Sequence, residues 1–204
     1  KATSRMDSIG ILTYVSTALG VTRALPQLIR LIRTRQANGV SIDTSATSAF
    51  VSAGWAVYGL WTHQFAISFA SGSTAIIFLF ITLSAVYFGR EWKELKITPV
   101  WMIILIVFGS IGGAVGLSLI LLVGGLVANI PQVQIAYKEK NLTDLSLLMW
   151  LLAMTEGLLW GSYGYFQHDI AVFINNSFAT MTSTIIVALK LTAMFRDKQQ
   201  KSPI

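Results

Sequence analysis

Residues 158–191, LLWGSYGYFQHDIAVFINNSFATMTSTIIVALKL, hold two apolar runs joined at Gln167-His168-Asp169. Their polar and aromatic landmarks occur twice in the chain. An offset of 105 positions pairs Trp55 with Trp160, Tyr58 with Tyr163, Gly59 with Gly164 and His63 with His168. The same offset, with no gap, pairs Gly20 with Gly125, Pro26-Gln27 with Pro131-Gln132 and Ser41 with Ser146. Trp, His and Pro-Gln are rare in an apolar background, so chance explains the matches poorly. A repeat of this length makes each half a structural unit.

Composition says where such units live. Of 204 residues, 54% are apolar and 12% charged, whereas a soluble domain averages about 25% charged. Soluble enzyme folds and intrinsic disorder are both excluded by this balance. The net charge of +6 points to basic loops at a membrane face rather than to nucleic acid. No cysteine is present, so no disulfide framework or thiolate chemistry is available. The chain starts at Lys1, and no cleavable signal peptide is read.

A membrane helix needs about 20 mainly apolar residues. Seven candidate spans follow: 8–32, 44–62, 66–88, 99–115, 117–137, 145–166 and 170–195. The fourth and fifth divide at the small-residue run Gly112-Gly113-Ala114-Val115-Gly116. Basic residues fall on alternate loops. Arg30, Arg33 and Arg35, then Arg90, Lys93 and Lys96, then Lys138 and Lys140, then Lys190, Arg196, Lys198 and Lys201 share one face. That face holds twelve of the 15 Lys and Arg, and the other only Lys1 and Arg5. The positive-inside rule then puts the N-terminus outside and the C-terminus in the cytoplasm of a cell membrane.

The expected fold is all-α, with seven transmembrane helices in a 3-1-3 arrangement. A three-helix unit over 8–88 and another over 117–195 are joined by a linking helix at 99–115. The linker restores parallel orientation, because each unit has an odd number of spans. Its glycines, Gly109, Gly112, Gly113 and Gly116, allow close helix packing.

Pro-Gln near the basic end of the first helix of each unit, followed by Trp-x-x-Tyr-Gly late in the second, resembles the PQ-loop family. Within it, residues 158–191 are most similar to SWEET and SemiSWEET sugar transporters. The resemblance implies two parallel three-helix repeats around a central path, with a substrate pocket between them near mid-membrane.

Depth arithmetic picks out a site. Trp160 is 15 residues into the sixth span, about 22 Å from the basic face at 1.5 Å per residue. Asn176 is 6 residues into the seventh, about 9 Å from the opposite face. In a core about 30 Å thick the two coincide. The first unit brings Trp55 level with Ser71 in the same way. An indole packs on the apolar face of a sugar ring, and a carboxamide donates to and accepts from its hydroxyls. The resemblance implies a substrate-binding Trp and Asn at Trp160 and Asn176, but Ser71 stands where an Asn is common. Asn175 lies about 100° round the helix and is the second candidate. Trp55 and Trp160 also suit an interfacial aromatic belt.

Pro26-Gln27 and Pro131-Gln132 are candidate gating hinges, since each proline removes a helix hydrogen bond. Static kinks tolerated by packing are the alternative. Arg23 and Glu156 are the charges deepest in their spans. Glu156, one turn from Trp160, is either a proton or hydroxyl site or a structural group; Arg23 reads as structural, with a stem long enough to snorkel. His63 and His168 suit helix C-terminal caps better than pH sensors. No metal cluster, phosphate loop, catalytic triad or cofactor motif is visible. The expected activity is facilitative uniport of a small sugar by alternating access. A proton-coupled, cystine-like amino-acid carrier and a receptor on the same fold are the alternatives, and an enzyme is not expected. The partners are a small molecule and the lipid bilayer, with no nucleic acid; a homo-oligomer is compatible with the sequence.

Overall fold

Ser41 and Asp169 start helices for the same reason. Each places a side-chain oxygen on a first-turn backbone N–H, that of Thr44 at 3.2 Å and Val172 at 2.9 Å, satisfying a donor the helix leaves open. The computed structural model describes residues 2–37, 40–138 and 147–200. Lys140, Ser146 and Lys201, and the side chains of Arg23, Pro131, Gln132, Lys138 and Lys198, lie outside the described residues. The elements are α1 (Ala2–Thr34), α2 (Ile42–Trp61), α3 (Phe65–Tyr87), a 3-10 turn (Trp92–Glu94), α4 (Thr98–Lys138), α5 (Leu147–Phe166) and α6 (Ile170–Gln200). No strand occurs among the described residues.

Among the described residues six helical runs stand where seven spans were expected, because α4 runs for 41 residues through the expected fourth and fifth. It is not one rod. Gly113 has φ 55° and ψ −141°, a conformation open in practice only to glycine. Beyond it the chain turns back: a Cβ on Gly116 would collide with the carbonyl oxygen of Phe108. In a continuous helix, residues eight apart are about 12 Å apart along the axis. The break therefore falls at Gly113, just before the expected boundary at 115–117.

The chain divides into two compact units, Thr13–Leu121 and Lys1–Leu12 with Leu122–Ile204. In the first, Leu31, Ala37, Val40, Ile42, Ile81 and Ala85 form a buried cluster that ties the end of α1 to the start of α2 and the end of α3. α2 packs along α3, and Gly54 admits Leu105 and Leu121 from the two arms of α4. In the second unit α5 packs along α6.

The exterior is apolar. Ile76, Phe80, Ile103, Ile106 and Leu119 are exposed, and Ile111 is 84% so; contiguous surface of this kind is built for lipid, and the chain is an integral membrane protein. Phe65–Tyr87, Thr98–Gly125 and Ile170–Arg196 are long and apolar enough to cross a bilayer by length and composition. α2 and α5 are diluted by Ser, Thr, Gly and Trp, and by Glu156 in α5; such residues suit helices that face protein rather than lipid.

One polar latch holds α4 to α2. The carboxylate of Asp43 accepts from the N–H of Ile97 at 3.0 Å and of Thr98 at 2.9 Å, and the Thr98 hydroxyl lies 2.8 Å away. It thus sits on the N-terminus of α4, where anions are stabilised. Burial pushes this carboxyl up, but the bonds from Ile97 and Thr98 outweigh burial and hold it below the usual value. Because the folded pKa is depressed, the stabilisation is complete above the unfolded value of 3.8 and fades as pH falls through the folded value. Asp43→Asn is expected to cost about 1 kcal/mol at neutral pH, the low figure reflecting solvent at the site. In a melting series from neutral to acid pH, the gap between wild type and Asp43→Asn should close; a gap that stays constant counts against the latch.

Candidate functional site

The α5–α6 contact rests on three glycines at spacings of four and three. Gly157 lies against Thr180 and the Asn176 carbonyl, Gly161 against Asn176 and Ser177, and Gly164 against Val172 and Phe173. Missing side chains let the two helices approach closely. The first unit uses the same register: Gly59 lies against Ser68, and Ala56 against Gly72. Shifted by 105 residues, these pairs become Gly164–Phe173 and Gly161–Ser177.

The turn that follows repeats atom for atom. His63 N–H bonds Leu60 O at 3.2 Å and Gln64 N–H bonds Gly59 O at 2.7 Å; His168 N–H bonds Tyr165 O at 3.2 Å and Asp169 N–H bonds Gly164 O at 2.8 Å. This is the Schellman pattern of a helix C-terminus. His63 and His168 hold its left-handed position, with φ 58° and 56°, a region where His is enriched among non-glycines. Both histidines are caps in backbone terms.

The aromatic pairs repeat as well. Trp55 meets Tyr58 edge-on at 5.5 Å, and Trp160 meets Tyr163 at 5.4 Å. Both tyrosines are buried and both tryptophans half-buried.

This register fixes levels. Gly161 faces Asn176 and Ser177, so Trp160 lies within about 3 Å of Asn176 along the axis. Trp55 and Ser71 stand equally close in level across the first unit, where Ala56 faces Gly72. It also fixes sides. On the helical wheel Trp160 and Glu156 lie to one side of the glycine stripe, and Asn176 lies to that same side on α6. That flank carries the buried Tyr163, Val172 and Ser183. The other flank holds a cavity of 420 Å³ lined by Leu158, Ser162, Tyr165, Phe173 and Met181. Its apolar walls are exposed, and neither Trp160 nor Asn176 lines it.

Asn175 and Asn176 part company. Asn176 Nδ2 donates to Val172 O at 2.8 Å; its amide oxygen has no partner among the described residues. Asn175 turns toward α4, where its Oδ1 lies against the Cα of Gly125, 2.5 Å from where a Cβ would stand. Asn176 therefore faces α5 and Asn175 faces α4. Ser71, Asn175, Asn176 and Glu156 are all half-buried. Pro26 and Gln27 are exposed within a continuous α1, and helix also runs through 131 and 132. Among the described residues no group of His, Cys, Asp and Glu could hold a metal.

The sequence reading missed the glycine stripe and the Asp43 latch. The stripe had a signal, the four-and-three spacing of Gly157, Gly161 and Gly164. The latch joins residues 54 and 55 positions apart and has none.

Residues 113–173 match the family model described as the PQ loop repeat. That segment is similar to a PQ-loop repeat. The match covers the later half of α4, all of α5 and the turn into α6, the region of the glycine stripe and of Trp160. The chain is also similar to the 3.7 Å structure of a eukaryotic SWEET transporter. The TM-score is 0.71 at 11% identity, over 91% of this chain and 98% of that one. No curated protein sequence matches the chain. The chain thus has the fold of that SWEET structure.

Proposed function

We propose that this PQ-loop protein is a facilitative transporter of a small sugar, working by alternating access as a uniporter and not as an enzyme. The observation that carries the reading is the shared level and shared flank of Trp160 and Asn176 beside the α5–α6 seam. An indole face and a carboxamide with an uncommitted oxygen suit one sugar ring. Trp55 and Ser71 are the weaker counterparts, Asn175 is a packing group beside Gly125, and Pro26-Gln27 with Pro131-Gln132 are the hinges. The arrangement is seven spans in 3-1-3 order, with three-helix repeats at 8–88 and 117–195 and the linker at 99–115; the fold-back at Gly113 supports it. It stands in the cell membrane with the basic face in the cytoplasm.

Uptake of labelled glucose, sucrose and amino acids into proteoliposomes, with and without an inward proton gradient, tests the function. Sugar uptake indifferent to the gradient is expected. Gradient-driven amino-acid uptake that Glu156→Gln abolishes would establish the coupled carrier instead.

Orientation has its own test. Glu94 pairs with Arg90 at 2.5 Å and helps cap its turn, so Lys93→Cys is the gentler probe in a chain with no cysteine. An impermeant thiol reagent is expected to label it only after cells are permeabilised. Labelling of intact cells reverses the topology.

A further inference from the structure

A crevice of 520 Å³ runs between α2, α3 and the start of α4, inside the unit Thr13–Leu121. Ala49 and Ala53 of α2 and Ala75 of α3 make it deep, and Ile76 and Leu79 stand exposed along it. The two hydroxyls at its edge are engaged elsewhere, Thr82 on Ser45 at 2.8 Å and Thr98 on Asp43. Nothing polar is offered to an occupant along its length. Its size lies in the range of about 300–1,000 Å³ typical of small-molecule sites. Apolar walls left unfilled forfeit their dispersion contacts, and in a bilayer the available filler is hydrocarbon.

One end of the crevice is different. Trp92 lines it there, an indole of the kind that sits at headgroup level. The same loop carries five charges. Arg90 is paired with Glu94 at 2.5 Å and Lys93 with Glu91 at 2.6 Å. Lys96 has no carboxylate partner among the described residues. It sits in sequence between Leu95 and Thr98, both of which line the crevice. An apolar slot therefore ends at an indole, on a loop whose remaining cation, Lys96, the loop's own carboxylates do not pair.

We propose that this crevice binds one acyl chain of an anionic phospholipid, with the lipid phosphate at Lys96. A zwitterionic lipid would fill the slot equally well, but its own quaternary ammonium already balances its phosphate, so an anionic headgroup gains more from Lys96. Each basic group near a membrane surface contributes about 1 kcal/mol toward anionic lipid, so the headgroup sets the preference and the alanine-lined slot sets the place. The proposal rests on the membrane reading and is independent of what the protein transports.

The test uses the full chain in neutral detergent, with native mass spectrometry to count retained lipids. Phosphatidylglycerol and phosphatidylcholine with identical chains are the probes. One phosphatidylglycerol is expected to be retained in preference to phosphatidylcholine. Lys96→Glu should lower phosphatidylglycerol affinity about 5- to 30-fold, the effect of removing one charge and reversing it, and change phosphatidylcholine affinity much less, because that headgroup has no net charge. Ala75→Phe should expel both lipids; Ala75→Leu is the milder filling if the larger ring unfolds the protein. Equal retention of both lipids by wild type overturns the proposal. So does retention unchanged by filling the crevice in a folded variant. Binding is read without transport, so a failed sugar-uptake experiment leaves this result standing.

Discussion

Trp160→Ala is expected to remove most sugar binding while leaving the protein folded. A buried aromatic supplies the largest apolar contact a ring can receive, and Trp160 is a half-buried side chain whose edge contact with Tyr163 fixes its ring. Asn176→Ala should cost about 1–3 kcal/mol of binding, roughly 5- to 150-fold in affinity, because sugar hydroxyls are left unpaired. Trp55→Ala and Ser71→Ala should be milder, since a serine offers one hydroxyl where Asn176 offers a carboxamide. Asn175→Ala separates the two neighbours. It should change stability, through its contact with Gly125, and leave sugar affinity alone. Equilibrium binding of the transported sugar, read beside each variant's melting temperature, decides these outcomes. Trp160→Ala and Asn176→Ala variants that stay folded and bind at wild-type affinity would move the pocket elsewhere.

The second large effect is on stability. A Cβ on Gly164 would lie 2.6 Å from the Phe173 backbone nitrogen, and one on Gly59 would lie 2.8 Å from the Ser68 nitrogen. Backbone atoms at an antiparallel helix seam have nowhere to go, so Gly164→Ala and Gly59→Ala should each destabilise by about 1–3 kcal/mol. Gly161 is the control on the same stripe. Its added Cβ would meet Asn176 Cβ at 3.7 Å, an ordinary contact, and alanine is the better helix former by about 0.5–1 kcal/mol. Gly161→Ala should melt at or above wild type. If Gly161→Ala and Gly164→Ala melt alike, the register of α5 on α6 is wrong, and with it the level assigned to Trp160.

Much of this geometry is legible in the sequence. The expected spans 44–62 and 66–88 became Ile42–Trp61 and Phe65–Tyr87, because apolar runs bounded by Ser41, His63-Gln64 and Gly89 leave little choice. The shared level of Trp160 and Asn176 follows from sequence as well, since rise per residue is a property of the helix itself. Azimuth is different. Whether Asn175 or Asn176 faces α5 depends on which stripe of α5 is narrow, and that requires reading Gly157, Gly161 and Gly164 as a seam. The turn at the α4 break falls at Gly113 because of the two adjacent glycines only one takes the left-handed angle, and composition does not say which. The Asp43 latch lay beyond reach for a plainer reason. A carboxylate in the first turn of α2 reads as an ordinary helix-start residue, and only the tertiary fold brings Ile97 and Thr98 onto it.

Counterflow tests the central claim most directly. Proteoliposomes preloaded with an unlabelled sugar are diluted into the same sugar carrying label. A uniporter that alternates around one sugar site exchanges label inward faster than net flux runs outward. Wild-type protein is therefore expected to show a transient overshoot of labelled sugar, unaffected by a proton gradient and lost in Trp160→Ala. No overshoot with any sugar, from protein that is folded and correctly inserted, would contradict the account.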